Sequence, residues 1–376
     1  MPGLLPDIDP DGLLEYSVVF TDRSLNQMSQ KFQRVMRDLS SVLKEVYHAK
    51  SVALVPGGGT FGMEAVARQF VTGKKALVLR NGWFSFRWSQ IFEMGNIPSE
   101  EVVLKARTVA AGRQAAFAPA PINEVIDAIQ THRPGVVCAP HVETASGIIL
   151  PDDYLKAVAD AVHAVGGLFV LDCVASGAMW VDMQATGVDV LISAPQKGWS
   201  GSPGCAFVML GERARAAIDS TTSTSFAADL KKWLQIMETY EGGSHAYHAT
   251  LPTDAITLTC AQMLETRATG FEALRAKQVE LGTKVRALLE ARGFKSVAAD
   301  GFKAPGVVVS YTDDDGLHSA KAFIAQGLQT AAGVPLRCDE PADFKSFRVG
   351  LFGLDKLANV DRTVASLQAA LDRIQG

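Results

Sequence analysis

The chain has 376 residues, of which 48% are hydrophobic and 20% are charged, and its formal net charge is −4. This composition is ordinary for a globular protein of enzyme size, and the length predicts two domains or more. The negative balance and the absence of any Lys/Arg-rich stretch argue against a nucleic-acid partner. No apolar run approaches the ~20 residues of a membrane helix, so no membrane partner is predicted.

The cysteines and histidines favour neither a disulfide framework nor a metal site. The five cysteines are scattered and odd in number, which is typical of a reducing compartment. The acidic, proline-broken N-terminus lacks the pattern of a signal peptide, so we predict a cytoplasmic protein. His245 and His248 lie close together, but no third ligand follows at a suitable spacing, and no metal is predicted.

Short apolar strands are predicted to alternate with helices over most of the chain. Residues 1–20, with three prolines in the first ten, are predicted as an extended N-terminal arm. Asp152 is expected to cap a helix that stops at Gly166. The alternation is typical of an α/β fold with a mainly parallel sheet and helices on both faces. A helix is predicted over 26–47, and strands are predicted over 51–55, 75–79, 102–104, 135–140, 167–172, 189–193 and 205–210.

The alternation stops near residue 265, and a smaller C-terminal α+β domain is predicted from there. It contains predicted strands over 306–311 and 347–350 and an amphipathic helix over 359–374. The segment TDDDG at 312–316 is predicted as a hairpin turn and not as a calcium loop, because the later ligands of such a loop are missing. The predicted division is therefore an arm over 1–20, a large domain over 21–264 and a small domain over 265–376.

Two ionisable residues follow neighbouring predicted strands at their carboxyl ends. Asp172 ends one apolar run, and Lys197 follows the next run within Ala-Pro-Gln-Lys. Ligands bind at this edge of open α/β sheets, and a lysine that loses hydration there becomes a nucleophile toward carbonyls. A nearby carboxylate can hydrogen-bond a protonated ring nitrogen, and the two groups together are the protein half of pyridoxal-phosphate chemistry. Each residue alone is more commonly a solvated lysine or a helix cap.

Three further stretches carry candidate groups. In PGGGTFG, the residues Gly58, Gly59 and Thr60 lead from a strand into a helix, which suits a phosphate, although the motif matches no nucleotide-binding fingerprint. NGWFSFRW places four aromatics after a strand, either for core packing or to lie flat on a planar cofactor. Thr144 in HVETASG follows a strand end, where its hydroxyl can bond a ring oxygen or phosphate or simply form a turn.

Taken together, these stretches resemble the class V, fold-type I enzymes that use pyridoxal 5′-phosphate, from about residue 20 onward. The resemblance is greatest to the alanine/serine–glyoxylate (serine–pyruvate) aminotransferases. It implies that Lys197 is the Schiff-base lysine, that Asp172 is the partner of the pyridine nitrogen, and that Val174 lies under the ring. The other implied cofactor contacts are Gly58, Gly59 and Thr60 at the phosphate, Phe84 stacked on the ring, Thr144 near the ring oxygen and Gln196 beside the lysine.

The resemblance also implies a substrate site and a homodimer. Arg348 in FRVGLFG matches the arginine that binds the substrate carboxylate. YHATLP matches the segment that reaches the other subunit's cofactor, with Tyr247 and Thr250 on its phosphate. The implied reaction moves an amino group from a small, alanine- or serine-like amino acid to a 2-oxo acid such as glyoxylate or pyruvate.

Two alternatives remain open at the sequence level. A cysteine desulfurase or related lyase normally has histidine before the lysine, whereas Gln196 stands there, but Cys338 lies ten residues before Arg348. A non-catalytic nucleotide-binding domain would use GGGTFG alone. Two departures from the family pattern also leave the amino donor open. Asp22 stands in place of a usual histidine and Ser85 in place of a usual glycine, both on the side expected for the substrate side chain.

Overall fold

The structure is a computed structural model that describes residues 13–375, and residues 1–12 of the predicted arm and Gly376 lie outside the described residues. The strands are β1 Ser51–Gly57, β2 Lys75–Arg80, β3 Glu100–Lys105, β4 Arg107–Thr108, β5 Phe117–Ala118, β6 Val136–Pro140, β7 Val142–Glu143, β8 Ile148–Ile149, β9 Leu168–Asp172, β10 Val190–Ser193, β11 Gly204–Leu210, β12 Val307–Tyr311, β13 Ala331–Ala332 and β14 Ser346–Gly350. The helices are α1 Gln30–Tyr47, α2 Gly59–Val66, α3 Trp83–Gly95, α4 Ile122–His132, α5 Asp152–Ala164, α6 Met183–Thr186, α7 Glu212–Ala217, α8 Leu230–Glu241, α9 Thr253–Thr269, α10 Phe271–Ala291, α11 Asp315–His318, α12 Lys321–Ala325, α13 Leu354–Ala358 and α14 Val360–Gln375.

A seven-stranded sheet forms the centre of the fold, in the order β1-β11-β10-β9-β6-β2-β3. The pairs from β10 to β3 are parallel, whereas β11 runs antiparallel to both β1 and β10. The residues of β6 and β10 are buried throughout, as expected for strands covered on both faces. The predicted α/β fold with a mainly parallel sheet is therefore confirmed.

The C-terminal part contains a three-stranded antiparallel sheet, in the order β12-β14-β13. Helix α10 packs against β12 and against α14. A second group of buried side chains joins Val142 and Ala145 to Val307 and Val309, so this sheet packs beside the loop that follows β6. The boundary predicted between residues 264 and 265 falls inside α9, and the division into domains stays a prediction.

Helix α1 begins four residues later than predicted, because polar side chains order the segment before it. The side chain of Ser29 accepts a hydrogen bond from the backbone N–H of Phe32 at 3.1 Å and so caps the helix. The Asn26 carbonyl accepts from the Ser29 N–H at 3.0 Å, which closes a turn. The apolar face then buries Phe32, Leu39 and Leu43, and α1 packs mainly on α9 and α8.

Three local predictions were wrong for identifiable reasons. β1 continues through Pro56, because β1 is an edge strand, where a missing N–H is tolerated. Asp152 is the first residue of α5 and not its cap, since Pro151 takes the preceding position. The TDDDG segment is not a hairpin turn: the Asp314 side chain accepts a hydrogen bond from the Leu317 N–H at 2.8 Å and caps α11, which begins at Asp315.

Candidate active site

The candidate site lies at the carboxyl edge of the parallel strands. β9 ends at Asp172, and Lys197 follows the end of β10 by four residues. Because Ile192 of β10 pairs with Asp172, the loop that carries Lys197 starts beside the carboxylate. This is the edge at which the strands of an α/β sheet leave room for a ligand.

Most of the predicted site residues line one cleft at this edge, together with Met63, Arg87, Pro140, Val142 and Ala175. Eight of the twelve predicted residues are among its walls: Gly59, Thr60, Phe84, Thr144, Asp172, Val174, Gln196 and Lys197. Segments that are far apart in sequence therefore meet in one place. No group of three or more His, Cys, Asp or Glu residues that could hold a metal ion occurs within residues 13–375.

Asp172 and Lys197 have altered acidities in this cleft. Desolvation raises the pKa of Asp172 to about 6, although the Val174 N–H at 2.9 Å and the charge of Lys197 oppose the shift. Desolvation also lowers the pKa of Lys197, and the nearby carboxylates of Asp172 and Glu143 act in the opposite direction. The cleft thus favours the neutral amine of Lys197, and a cationic partner beside Asp172 would stabilise its ionised carboxylate.

The glycine loop forms one end of the cleft. A Cβ atom on Gly59 would lie 2.5 Å from Val174 Cγ2, so only glycine fits between the loop and that side chain. Thr60 is the second residue of α2, where the first backbone N–H groups of a helix point toward an anion. Gly58 does not line the cleft, and a Cβ there would meet nothing within 4 Å.

The other residues of the cleft fit a polar planar cofactor. Thr144 Oγ1 is buried and has no hydrogen-bond partner among residues 13–375, although it faces the same cleft. A buried hydroxyl without a partner costs free energy, which a ring oxygen or phosphate would offset. With the glycine cradle, the carboxylate and the lysine, these donors and acceptors fit pyridoxal phosphate.

Phe84 is held in position by a buried carboxylate that the sequence reasoning missed. Glu143 is fully buried, and it accepts hydrogen bonds from the N–H groups of Phe84, Ser85 and Ala145 at 3.2, 2.8 and 3.0 Å. These bonds fix the first turn of α3 against the loop that follows β6. The signal in the sequence was an acidic residue next to Thr144, flanked by apolar and small residues.

Asp22 and Ser85, the two departures from the family pattern, do not line the cleft of their own chain. Ser85 is 1% exposed; its hydroxyl lies 2.8 Å from Glu143 and accepts from the N–H groups of Asn81 and Gly82. Ser85 is therefore a residue that fixes the start of α3, and its expected place on the substrate side stays a prediction. Asp22 lies in a partly exposed turn before α1.

Three cationic side chains surround the Phe84 ring. The distances from its centroid are 5.3 Å to the Arg87 guanidinium, 5.6 Å to the Arg348 guanidinium and 5.8 Å to Lys197 Nζ. Arg348 donates to the Ala332 carbonyl at 2.7 Å, and within residues 13–375 neither Arg348 nor Arg87 has a carboxylate within 4 Å. Burial lowers the pKa of Arg348. The cleft carries more positive than negative charge and therefore suits anionic ligands.

Four of the predicted residues, Gly58, Tyr247, Thr250 and Arg348, are not among the walls of the cleft, and one unpredicted aromatic, Phe352, lies near Lys197. Tyr247 is 55% exposed, and its hydroxyl lies 3.4 Å from that of Thr250, which is also exposed. Neither is a wall of this cleft. Phe352, which follows β14, has its ring centroid 5.8 Å from Lys197 Nζ. Only the packing of the small antiparallel sheet brings it there.

Comparison with known proteins places this architecture in a family. The crystal structure of alanine–glyoxylate aminotransferase from Nostoc sp. matches with a TM-score of 0.74 at 21% identity, covering 92% of this chain and 88% of that chain. The soluble hydrogenase small subunit of Synechococcus sp. is 26% identical over 287 residues, which are 75% of this chain and 71% of that protein. Alanine–glyoxylate aminotransferase 1 of Saccharomyces cerevisiae is 28% identical over 237 residues, which are 60% of this chain and 58% of that protein.

The fold is the fold-type I architecture of these aminotransferases. The model of the aminotransferase class-V family matches residues 13–334, and the chain belongs to that family. It is therefore a pyridoxal-phosphate-dependent aminotransferase, as predicted. No helix within residues 13–375 is long and apolar enough to cross a membrane.

Proposed function

We propose that Lys197 and Asp172 are the catalytic pair of a transaminase that acts on a small, alanine- or serine-like amino acid and a 2-oxo acid such as glyoxylate or pyruvate. The observation that carries the proposal is their presence in one cleft with the Phe84 ring and the unpartnered Thr144 hydroxyl. A planar ring between Phe84 and Val174 would have a carboxylate, an amine and a hydroxyl within its reach.

The roles of the two residues follow from their electrostatics. Pyridoxal phosphate, when bound, supplies a ring that takes up electrons released at the substrate carbon. Asp172, as a carboxylate, holds a proton on the ring nitrogen, and the positive nitrogen in turn offsets the desolvation of the carboxylate. Lys197 would hold the cofactor through its aldehyde. As a free amine, the desolvated Lys197 side chain would take the proton from the substrate α-carbon and pass it to the cofactor carbon.

The substrate end of the cleft selects by charge and size. Arg348 presents a guanidinium without a carboxylate partner among residues 13–375, and such a group binds a carboxylate in a bidentate manner. Phe84 and Phe352 each have ring centroids 5.8 Å from Lys197 Nζ, so aromatic surfaces flank the reacting amine. One cation and two apolar walls favour an amino acid with a small side chain.

We also propose a homodimer in which Tyr247 and Thr250 contact the partner's cofactor phosphate. Both side chains are exposed, their hydroxyl oxygens lie 3.4 Å apart, and neither lines the cleft of its own chain. Phe61, the residue after Thr60, is 58% exposed, and Phe226 is 77% exposed, so apolar surface is available for a second copy. Light scattering should give twice the chain mass. A Tyr247→Phe/Thr250→Val double variant should weaken cofactor binding, although neither residue lines the cleft of the subunit that carries it.

A cytoplasmic location is part of the proposal. All five cysteines are buried free thiols, which suits a compartment that keeps thiols reduced. Cell fractionation with the tagged chain tests it, and recovery in an exported fraction would contradict it.

The desulfurase alternative loses its main support. A desulfurase needs a reactive, mobile thiol, but Cys338 is 4% exposed and its sulfur contacts the Arg80 carbonyl at 3.3 Å. Burial, with Glu143 next in effect, raises the pKa of Cys338 to about 12, so the thiolate form is scarce. The non-catalytic nucleotide-binding alternative is overturned by the family match.

The deciding experiment is spectroscopic. The purified protein should absorb as a pyridoxal-phosphate enzyme, and borohydride should fix the cofactor to Lys197, as located by peptide mass. A Lys197→Ala variant should fold normally and show no covalent attachment. Half-reaction spectra with alanine, serine and aspartate, followed by glyoxylate or pyruvate, then rank the substrates. A wild-type protein that never binds pyridoxal phosphate would end the proposal, and preference for aspartate would overturn the substrate assignment.

A further inference from the structure

Arg87 is a cleft residue that none of the roles above uses. It lies on the first turns of α3, three residues after Phe84, so the two side chains leave the helix on the same face. Its guanidinium is 5.3 Å from the Phe84 ring centroid, and Nη1 donates to Thr60 Oγ1 at 2.8 Å. Arg87 therefore spans the distance between the stacking ring and the start of α2.

Arg87 forms no ion pair within residues 13–375, although its charge acts to lower the pKa of Asp172. Within residues 13–375, no carboxylate lies within 4 Å of it, whereas Arg68, in the same part of the fold, is paired with Glu64 at 2.7 Å. In the described part of the chain, the Arg87 guanidinium donates its hydrogen bond to a neutral hydroxyl, that of Thr60. Holding a cation in a partly enclosed cleft without a counter-charge costs free energy, unless a ligand supplies the negative charge.

The position of Arg87 indicates which anionic group its guanidinium binds. Thr60 is at the N-terminus of α2, where unpaired N–H groups favour a phosphate, and Arg87 is hydrogen-bonded to that threonine. Arg348 instead reaches the Thr144 carbonyl, at 3.5 Å, and so approaches the cleft from the small antiparallel sheet. The two guanidiniums thus belong to different ends of the cleft, and each suits a separate anionic group.

We propose that Arg87 binds the cofactor phosphate, through a guanidinium that the Thr60 hydroxyl and the Phe84 ring hold in place, and that it supplies the positive side chain of this otherwise neutral cradle. The inference rests on the proposed function, because it presumes that pyridoxal phosphate occupies the cleft. Arg87 then couples two tasks: it holds the phosphate, and by packing on Phe84 it sets the orientation of the ring that stacks on the cofactor. A lysine cannot do both, because an ammonium lacks the planar fork.

The test compares two ligands that differ only in the phosphate. Apoenzyme is titrated with pyridoxal phosphate and with pyridoxal, in the wild type and in Arg87→Met, Arg87→Lys and Arg68→Met. The readouts are the dissociation constant from absorbance and the melting temperature of each apoenzyme. Loss of one charge-assisted contact weakens binding about tenfold to a hundredfold. Arg87→Met should show this loss for pyridoxal phosphate alone, Arg87→Lys a smaller one, and Arg68→Met none.

Each outcome is decisive. Equal weakening of both ligands in Arg87→Met would assign Arg87 to ring positioning only and would overturn the phosphate role. Unchanged affinity for both would show that Arg87 does not contact the cofactor. If the wild type itself fails to bind pyridoxal phosphate, the proposed function fails, and this result is distinct from the first two. If the Arg87→Met apoenzyme melts well below the wild type, the phosphate role is judged from Arg87→Lys instead. A weaker affinity of that variant for pyridoxal phosphate alone supports the role, and equal changes for both ligands overturn it.

Discussion

The two ends of the cleft are built in different ways. The cofactor end consists of strand ends and helix starts of the central sheet, and its parts are tied together by a fully buried carboxylate, Glu143, with hydrogen bonds to three backbone N–H groups. The proposed substrate end contains Arg348 and Phe352, which come from β14 and the turn after it. There the guanidinium is held by two carbonyl oxygens and faces no carboxylate within residues 13–375.

This difference predicts two kinds of effect for substitutions at the two ends of the cleft. Changes at the cofactor end should alter the affinity for pyridoxal phosphate or the stability of the apoprotein, because that end is a tightly packed network. Changes at the substrate end should alter substrate affinity and leave the cofactor in place. The variants below can break this division, and they are ordered from the largest expected effect to the smallest.

Asp172→Asn should lower transamination by roughly 100- to 1,000-fold. The amide keeps the shape of the side chain but carries no charge to hold a proton on the ring nitrogen, so the ring withdraws electrons less well. Single-turnover rates with alanine, measured on protein that still contains cofactor, check this. Near-normal turnover would contradict the role of Asp172.

Arg348→Ala should raise KM for amino and oxo acids about 10- to 100-fold while the bound cofactor is retained, because only a charge-assisted pair with the substrate is lost. Steady-state kinetics with a parallel cofactor absorbance spectrum separates the two effects. Arg337→Ala is the matched control, since Arg337 is exposed and packs on Trp83 at 5.1 Å outside the walls of the cleft. Loss of cofactor from Arg348→Ala would show that the two ends are not separate.

Glu143→Gln should destabilise the protein by about 2 kcal/mol and weaken cofactor binding, because backbone donors at the start of α3 lose a charged acceptor. Glu340→Gln is a matched control: Glu340 also accepts from three backbone N–H groups, those of Leu336, Arg337 and Cys338. It should cost similar stability and leave cofactor affinity unchanged. Equal effects of both variants on cofactor affinity would show that Glu143 acts through general stability only.

The apoprotein should lose stability as pH rises from about 4 to about 6. The pKa of Asp172 is raised in the folded protein from 3.8 to about 6. Its contribution to the free energy of unfolding is therefore fully present below the lower pKa and is lost as the pH rises through the higher one. Above pH 6 the ionised group costs on the order of 3 kcal/mol. Thermal unfolding of apoprotein across this range should show a decline that Asp172→Asn lacks. Identical profiles would mean that Asp172 is well solvated.

Local sequence predicted the strands and the reacting pair because both depend on short-range patterns. Continuous apolar runs identify buried strands, and Asp172 and Lys197 stand directly after two of them. The first turn of α3 was harder, because NGWFSFRW has no helical apolar period and owes its start to hydrogen bonds with Glu143, 58 and 59 residues away. The helix at 315–318 was mistaken for a turn, because the same Asp residues suit both structures.

By itself the sequence determined the α/β class and the family, and it predicted the lysine and the acid of the proposed catalytic pair, because strand pattern and strand-end chemistry are local properties. The tertiary structure alone decided which distant groups join them. Glu143 under Phe84, Arg87 at Thr60 and Phe352 beside Lys197 are contacts between separate segments, and only the packing of helices and of the small sheet against the carboxyl edge creates them. The same packing removes water from the cleft, and this desolvation gives the amine and the carboxylate their unusual acidities.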